Sequence, residues 1–488
     1  MFRRRRLLWF CVGLFVLVAL LLWARPADRA AQPLSDADAR YFSSLTTTLR
    51  SLSGLPCAAI DLDRLDHNLT KAQSALSKNQ QLRIVVKSLP SLGLLRYILQ
   101  KTGSRALMVF HAPQIPLLLR DLSDLGPLDI LLGKPAPAEA AHKVMTQHPD
   151  AAQRVAWLID DGSRLASYRD IARQLGQPIK VSIELDVGLH RGGVQTDDEL
   201  RSLLQQIADA PSQLRFAGFM GYDGHVPHAP GLHKHEAIRT ALVDVQTRYQ
   251  HFVDVAKAAR PDWFSPSTDR LVFNSGGSKT LPLYAGLPTV VNDLAMGSGL
   301  LRPASFGDDA LADFLPALWL AVPVLKKQAS PPLPFLDGMW GLFRLWDPNL
   351  AVGYFLYGGT WDAPIVYPTG LRAGWFHDGP IRNLLPNQQL LTGSKRVVAE
   401  VVEVGAVEDR REPPRLRLAQ GHRVELALAV EAAVDGVLRV VRVVDLVRVD
   451  GDVGHADLRR EGGRQKVVAK NLRRKNCSLS VRGALSRV

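Results

Sequence analysis

Cysteine is scarce in this chain, and the few cysteines present lie too far apart to form a framework. The 488 residues include only three, Cys11, Cys57 and Cys477. Without a CxxC pair or a Cys/His cluster, the sequence indicates neither a disulfide scaffold nor a structural zinc site. The length nevertheless predicts two or three folded units, and a hydrophobic content of 47% is enough for a substantial core.

Aromatic residues are missing from the end of the chain. Residues 395–488 contain no Phe, Trp or Tyr and no Ile, Met or Thr, but they hold 21 Val and 16 Arg. An ordinary composition would supply several aromatic residues over this length. Because the change after Ser394 is abrupt, we interpret residues 395–488 as an anomalous tail that is translated out of frame. A natural basic extension is the alternative.

A basic groove is also missing, although the net charge of +13 at first suggests a nucleic-acid partner. Arg3–Arg6 supply four of these charges, and residues 395–488 carry 20 Lys and Arg against 13 Asp and Glu. The middle of the chain is therefore nearly neutral. Since nucleic-acid binding requires clustered positive charge on the folded part, we exclude nucleic acid as a partner.

Long hydrophobic runs are absent except near the N-terminus. Residues 7–24 are uncharged and almost wholly apolar, which is long enough to cross a hydrocarbon core. Arg3–Arg6 precede them, and a positively charged flank stays in the cytoplasm. We predict an uncleaved single-pass anchor (residues 1–24) in the inner membrane of a bacterium, with the rest of the chain in the periplasm. A cleaved signal peptide is the alternative, and residues 25–54 are expected to be a tether.

From residue 55 to about residue 300, apolar runs alternate with amphipathic helical patterns. This alternation predicts a parallel sheet with right-handed crossovers, and eight repeats in this length are typical of a (β/α)8 TIM barrel. Residues 301–394, rich in Pro, Gly and Trp, are predicted to form a smaller, mainly β second domain. Nine segments compete for the eight barrel strands, and we expect the first of them to lie outside the barrel. They are residues 57–61, 83–87, 106–110, 129–132, 154–159, 179–186, 215–221, 270–274 and 289–292.

A lysine ends the second of these segments. Leu82–Val86 is a short apolar run, and Lys87 follows at the predicted carboxyl end of the strand, where barrel enzymes keep their catalytic residues. Apolar neighbours would lower the pKa of Lys87 and provide a neutral, nucleophilic amine that can form an imine with an aldehyde. Taken alone, an ordinary exposed lysine is the simpler interpretation.

Three further motifs follow later strands at the same end of the predicted barrel. A Ser-Gly-Gly-Ser loop can turn backbone N–H groups and hydroxyls toward a phosphate, an arginine between glycines offers a fork for a carboxylate, and a histidine follows a glycine turn. In isolation, a plain turn, a surface ion pair and a structural histidine are the alternatives. Because all of them meet Lys87 at one rim, we predict a single site. The motif residues are Ser275, Gly276, Gly277, Ser278, Arg191, Tyr222 and His225.

Taken in order, these motifs resemble the fold-type III pyridoxal-phosphate enzymes, which share the alanine racemase N-terminal domain. Within them the chain is most similar to the D-threonine aldolase and D-serine dehydratase branch, over roughly residues 50–394. The matching segments are Pro56–Asp61 with Asn68-Leu69, Val86-Lys87-Ser88, Asp186–Val194, Tyr222-Asp223-Gly224-His225, Ser275-Gly276-Gly277-Ser278 and Asn292–Ser298.

The resemblance implies pyridoxal 5'-phosphate as the cofactor and a small D-amino acid as the substrate. Lys87 would form the internal aldimine, and Arg191 would contact the substrate or orient the site. His225 would pack on or near the pyridine ring and, with Lys87 and Arg191, would be catalytic. The cofactor-binding residues implied in this way are Lys87, Tyr222, His225, Ser275, Gly276, Gly277 and Ser278.

The implied reaction is retro-aldol cleavage of a β-hydroxy D-amino acid, as in D-threonine aldolase, or β-elimination. An amino-acid racemase of the same fold, a pyridoxal-phosphate-binding protein without turnover and an inactive truncated homologue are the alternatives. The last follows from the anomalous tail, which would interrupt the second domain. Two-domain relatives are generally dimers, so the resemblance also implies a homodimer.

One part of the family pattern is missing. Aldolase and dehydratase members carry a His-x-Cys or His-x-Asp metal pair in the second domain, and residues 301–394 contain no such triplet. Asn387-Gln388-Gln389 resembles a subgroup with glutamines in this region. His455-Ala456-Asp457 has the spacing, but it lies in the anomalous tail, and we interpret it as a chance match. We therefore predict no metal site.

Overall fold

A computed structural model describes residues 23–31, 35–50, 56–265, 270–303, 306, 309–329, 338–357, 365–373 and 388–399, together with four strands nearer the C-terminus. The chain divides into two compact units. One contains residues 60–319 and 423–447, and the other contains residues 1–59, 320–422 and 448–488.

The first unit is built on a closed barrel of eight parallel strands. Helix α1 (Asp36–Arg50) and strand β1 (Cys57–Asp61) precede it in the chain. The barrel closes because β2 pairs in parallel with both β3 and β9. Its strands are β2 (Gln81–Val85), β3 (Ala106–Val109), β4 (Asp129–Leu132), β5 (Val155–Ile159), β6 (Ile179–Glu184), β7 (Leu214–Met220), β8 (Val272–Ser275) and β9 (Asp293–Met296).

Helices follow the strands and cover the barrel. Local sequence signals set several of their starts. Asp61 and Asp161 accept backbone N–H groups at the first turns of the helices that follow them, and Thr196 forms a capping box with Glu199 at the start of a third helix. The helices are α2 (Leu62–Ser74), α3 (Leu92–Thr102), α4 (Ile115–Asp121), α5 (Ala138–Gln147), α6 (Ala151–Arg154), α7 (Gly162–Leu175), α8 (Asp197–Ala208) and α9 (Lys234–Ala259).

The predicted TIM barrel is confirmed, and the first of the nine segments lies outside it as β1. The last strand was placed wrongly at residues 289–292, because β9 begins at Asp293. Asp293 is fully buried, and its Oδ1 lies 2.6 Å from Arg83 Nε in the barrel interior. A carboxylate that opens a buried strand interrupts the apolar run on which the prediction depended. Lys87 also lies just beyond β2, in the 3₁₀ turn Val86–Ser88.

The second unit contains the predicted smaller β domain. After β10 (Leu318–Ala321), a four-stranded sheet in the order β11-β12-β14-β13 consists of β11 (Val324–Ala329), β12 (Val352–Tyr357), β13 (Arg372–Ala373) and β14 (Gln388–Gly393). Helix α10 (Trp340–Trp346) packs on one face of this sheet through Trp340, Phe355 and Leu390. The other face carries a separate apolar cluster that includes Tyr354 and Val397.

The C-terminal segment contains two strand pairs, and most of the N-terminal apolar run lies outside the described residues. Within the C-terminal segment, β15 (Val424–Val434) pairs with β16 (Val437–Val444), and β17 (His455–Glu461) pairs with β18 (Arg464–Lys470), both antiparallel. The predicted anchor lies outside the described residues except for Trp23 and Ala24. Among the helices that the structure describes, none is both long enough and apolar enough to cross a bilayer.

Candidate active site

A cavity of about 360 Å³ opens at the carboxyl ends of the barrel strands. This is the volume range of small-molecule sites, and this end of a TIM barrel is where such sites are found. Its walls come from residues in or directly after the barrel strands, with Phe306 farther along the chain. They include Val85, Lys87, Ser88, Met108, Phe110, Gly133, Arg191, Met220, Tyr222, His228, Asn274, Gly276, Gly277, Ser278, Lys279, Gly297, Ser298 and Phe306.

Lys87 reaches into this cavity from the turn after β2. Its side chain is exposed to the open cavity, and Nζ lies 4.1 Å from the centroid of the Phe110 ring. Partial burial lowers the pKa of Lys87, and the positive charges of Arg191 and Lys134 lower it further. Both effects disfavour the ammonium form, so the neutral amine is more available than on an ordinary surface lysine.

Arg191 is held on two sides in the loop after β6. Its Nη2 donates to Glu184 Oε1 at 3.1 Å, and its guanidinium carbon lies 4.9 Å from the centroid of the Tyr222 ring. Glu184 is buried at the end of β6, and burial raises the pKa of this carboxyl although Arg191 opposes the shift. The contacts fix the planar guanidinium at the cavity wall, where its remaining donors can meet a carboxylate.

The Ser-Gly-Gly-Ser loop continues directly from β8. Ser275 Oγ is buried and donates to the carbonyl of Gly221 at 2.7 Å, so Ser275 fixes the base of the loop. Gly276 has φ +81°, which an L side chain rarely adopts. A Cβ on Gly277 would lie 3.1 Å from a ring carbon of Tyr222, so a larger residue would press on that ring.

A second loop lies against the first one. Ser278 Oγ accepts the backbone N–H of Gly299 at 2.8 Å and lies 3.2 Å from Ser298 Oγ. A Cβ on Gly299 would come within 2.9 Å of Ser278 Cβ, so glycine permits the two loops to approach. Two glycine-containing loops and two serine hydroxyls therefore meet at one wall of the cavity, a combination of residue types that can bind a phosphate.

Asp223 is hydrogen-bonded to residues that follow the Ser-Gly-Gly-Ser loop. It is fully buried and accepts hydrogen bonds from Thr280 Oγ1 at 2.8 Å and from Tyr284 OH at 2.9 Å. Burial raises the pKa of Asp223 to about 6, against the effect of these donors. The carboxyl thus ties the segment that follows the Ser-Gly-Gly-Ser loop to the end of β7.

His225 is placed differently from the other predicted residues. It is not among the residues that line the cavity. Its ring lies beside Gly188, where a Cβ would be 3.2 Å from Nε2, and its buried Nδ1 has no hydrogen-bond partner among the described residues. Burial and the nearby His190 lower the pKa of His225. His228, three residues later, lines the cavity instead.

The structure therefore brings Lys87, Arg191, Tyr222 and the loop residues 276–278 to one cavity, with Ser275 buried behind the loop. Sequence reasoning missed Phe110, His228, Lys279 and Ser298 as cavity residues and Asp223 as a support. Ser298 and Asp223 belong to segments that matched the family pattern, and this was the one available signal. Phe110, His228 and Lys279 carry no local motif.

The cavity has a clear electrostatic character. Its described lining residues include three cations, Lys87, Arg191 and Lys279, together with His228, and none of them is Asp or Glu. Such a wall favours an anionic ligand.

No group of three or more His, Cys, Asp or Glu side chains in the described part of the chain is arranged to hold a metal ion. Gln388 and Gln389 lie on β14.

Comparison with known proteins connects this cavity to a family. The model of the alanine racemase N-terminal domain matches residues 60–265. The 3-hydroxy-D-aspartate aldolase of Paracoccus denitrificans (strain Pd 1222) is 23% identical over 253 residues, which are 52% of this chain and 61% of that protein. The D-threonine aldolase of an Arthrobacter species is 35% identical over 75 residues, which are 15% of this chain and 20% of that enzyme.

The chain thus spans less than two thirds of either curated relative. Among solved structures, the D-threonine aldolase from Filomicrobium marinum has a similar fold, with a TM-score of 0.50 and 17% identity, covering 70% of this chain and 82% of that one. The resemblance drawn from the ordered motifs is confirmed by these matches. The barrel region of this chain is thus similar to the alanine racemase N-terminal domain, whose model matches residues 60–265.

Proposed function

We propose that this protein is a pyridoxal-phosphate-dependent lyase that cleaves a β-hydroxy D-amino acid by a retro-aldol reaction. The observation that carries the proposal is that the Lys87 amine and the loop residues 276–278 line the same cavity. The names of the two curated relatives, both aldolases of D-amino acids, support this reaction over racemisation.

The residues present suit this cofactor. Pyridoxal phosphate carries an aldehyde and a phosphate-bearing arm on adjacent carbons of a flat pyridine ring. Lys87 would hold the aldehyde, and the N–H groups and hydroxyls of the 276–278 and 297–299 loops would hold the phosphate. When bound, the cofactor supplies an electron sink that stabilises negative charge on the α-carbon of an amino acid.

The side chains of the cavity then have separate tasks. Lys87 Nζ, whose pKa is lowered by its surroundings, can accept and return a proton. Arg191 is oriented by Glu184 and Tyr222 and can bind the carboxylate of an amino acid. Phe110 covers one side of the amine with its ring.

An activity assay with purified full-length protein tests the proposal. The chain is incubated with pyridoxal phosphate and with D-threonine or D-threo-3-hydroxyaspartate, and the L enantiomers serve as stereochemical controls. We expect glycine and an aldehyde from a D substrate. Ammonia and a keto acid would instead show β-elimination, and formation of the diastereomer inverted at the α-carbon would show racemase activity.

Variants identify the residue responsible. We expect Lys87→Ala to remove the activity, whereas Lys78→Ala, which changes an exposed lysine after α2, should keep it. Retained activity in Lys87→Ala would contradict the proposal. Absence of turnover with every substrate, despite a bound cofactor, would favour a pyridoxal-phosphate-binding protein without catalysis.

A further inference from the structure

Helix α10 of the second unit has an exposed apolar side. Leu342 and Leu345, three residues apart and so on one side of the helix, are 67% and 71% exposed, and Met339 just before the helix is 52% exposed. Trp340 is buried and packs on Phe355 of β12. One apolar side of the helix therefore packs on the sheet, and a second apolar side is exposed to solvent. Exposed apolar side chains that lie together are typical of an interaction surface.

The N-terminal segment is attached to the end of this helix. Arg25 Nε donates to the carbonyl of Trp346, the last residue of α10, at 3.2 Å. Three residues after Trp346, Asn349 Nδ2 donates to the carbonyl of Ala27 at 2.9 Å, and the N–H of Arg29 donates to Asn349 Oδ1 at 3.0 Å. Residues 25–29 thus run alongside the segment that follows the helix.

The predicted anchor ends one residue before this attachment. The apolar run covers residues 7–24, and Arg25 already contacts α10. The headgroup layer on each side of a bilayer is about 5–7 Å thick, and an α-helix is about 10 Å wide. A helix that is hydrogen-bonded to residue 25 would therefore lie within the headgroup layer if residues 7–24 cross the membrane.

We propose that α10 lies in the lipid–water interface and inserts Met339, Leu342 and Leu345 into the outer part of the bilayer. Trp23, which is 87% exposed, would lie at the same depth, where tryptophan is enriched in membrane proteins. Arg25 and Arg344 are exposed beside the apolar side, and Trp340–Trp346 contains no acidic residue. This combination of apolar and basic residues suits a surface of anionic phospholipids.

Depth-dependent quenching tests this contact in the full-length chain. An environment-sensitive fluorophore is attached at Leu345→Cys in a chain that also carries Cys11→Ala and Cys477→Ser, while buried Cys57 is kept. The protein is reconstituted into vesicles of phosphatidylcholine and phosphatidylglycerol. Some vesicles contain a spin-labelled lipid whose nitroxide lies just below the headgroups.

The matched control carries the label at Lys395→Cys. Lys395 is exposed and begins the turn Lys395–Ala399, whose Val397 packs on the Tyr354 face of the sheet. Helix α10 packs on the Phe355 face, and consecutive strand residues point to opposite faces. The two labels therefore lie on opposite sides of one sheet.

We expect the label at residue 345 to be strongly quenched and blue-shifted in these vesicles, and the label at residue 395 to be almost unchanged. A second label at Leu342→Cys should behave like the one at residue 345. Equal quenching at residues 345 and 395, or none at residue 345, would overturn the proposal. A further control measures the emission of the label at residue 345 in detergent without lipid. If this emission is already blue-shifted, and the shift grows with protein concentration, a second copy of the chain covers the helix and the proposal is overturned.

Discussion

The amine of Lys87 has two cationic neighbours of different kinds. Arg191 belongs to the cavity wall and is fixed by Glu184 and Tyr222. Lys134 is exposed and does not line the cavity, yet its charge also lowers the pKa of Lys87. The protonation of Lys87 therefore depends partly on a residue that can be changed without altering the wall of the site.

We expect Lys134→Gln to raise the pKa of Lys87, because one repelling charge is removed and the ammonium form becomes less unfavourable. The rate of imine formation with pyridoxal phosphate at neutral pH should fall a few-fold, and the rate–pH profile should move to higher pH. Stopped-flow absorbance across pH measures both. Lys78→Gln is the control, and an identical shift in that variant would show that overall charge is responsible.

Asp223 should make the stability of the barrel depend on pH. Its pKa is raised from 3.8 to about 6 in the folded protein, so the folded state binds this proton more tightly than the unfolded state does. The associated stability is present below about pH 4 and is lost as the pH rises through about 6, and it amounts to about 3 kcal/mol.

Asp223→Asn should therefore flatten the dependence of the unfolding free energy on pH between about 4 and 6. Denaturant unfolding at several pH values measures this slope in the variant and the parent chain. Asp198→Asn, at an exposed position in α8, should keep the parent slope. If Asp223→Asn also keeps it, the carboxyl does not titrate in this range.

Single residues were predictable where a local motif marks them. Lys87 ends an apolar run, and the glycines at 276 and 277 stand directly after a strand. Asp223 serves the site through Thr280 and Tyr284, which lie more than fifty residues away in the chain. Such a contact has no signature in the sequence. His225 stood in a matching motif, yet its ring lies beside Gly188 and away from the cavity lining.

At the scale of strands, one buried arginine side chain links three strands inside the barrel through ion pairs. Arg83 of β2 is fully buried, and its guanidinium contacts Asp293 of β9 at 2.6 Å and Asp129 of β4 at 2.7 Å. Removing one partner of a buried ion pair leaves the other charge without compensation, at a cost of about 3–5 kcal/mol.

We expect Arg83→Met to lower the free energy of unfolding by that amount, about 3–5 kcal/mol, because Asp293 remains buried. Arg173→Met removes a pair between side chains that are 55% and 61% exposed and should cost less than about 1 kcal/mol. Urea unfolding compares the two variants. Equal losses would show that burial does not determine the energy of the Arg83 pair.

The alternation of strands and helices was predictable, because the apolar runs of a parallel barrel are buried on both faces. The position of β9 was not predictable in this way. Asp293 can be buried in the strand because its carboxylate is paired with Arg83. A prediction that follows runs of apolar residues ends the strand at such a charged residue. The apolar pair Val290-Val291 lies just before the strand instead.

At the scale of the whole molecule, composition separates the folded body from the segment after residue 394. The valine-rich stretches of that segment form the β15–β16 pair, as expected from the high strand propensity of valine, and β17, which contains no valine, pairs with β18. Strand formation therefore does not decide between a natural extension and an out-of-frame translation.

Mass spectrometry of the protein from its native cell tests the origin of this segment. If the frame shift is an error in the gene sequence, we expect no tryptic peptides matching residues 400–488 and full coverage of the barrel. Recovery of peptides such as the one that contains Cys477 would show that the cell makes this tail and would contradict that origin. Resequencing of the gene gives an independent result.

The most direct measurement for the central claim is covalent trapping of the cofactor. The full-length chain is incubated with pyridoxal phosphate, reduced with borohydride and digested, and the modified peptide is identified by mass spectrometry. We predict stable modification at Lys87, which lines the same cavity as the 276–278 loop, and its loss in Lys87→Ala. Modification that is spread over exposed lysines such as Lys78, with Lys87 unmodified, would contradict the account.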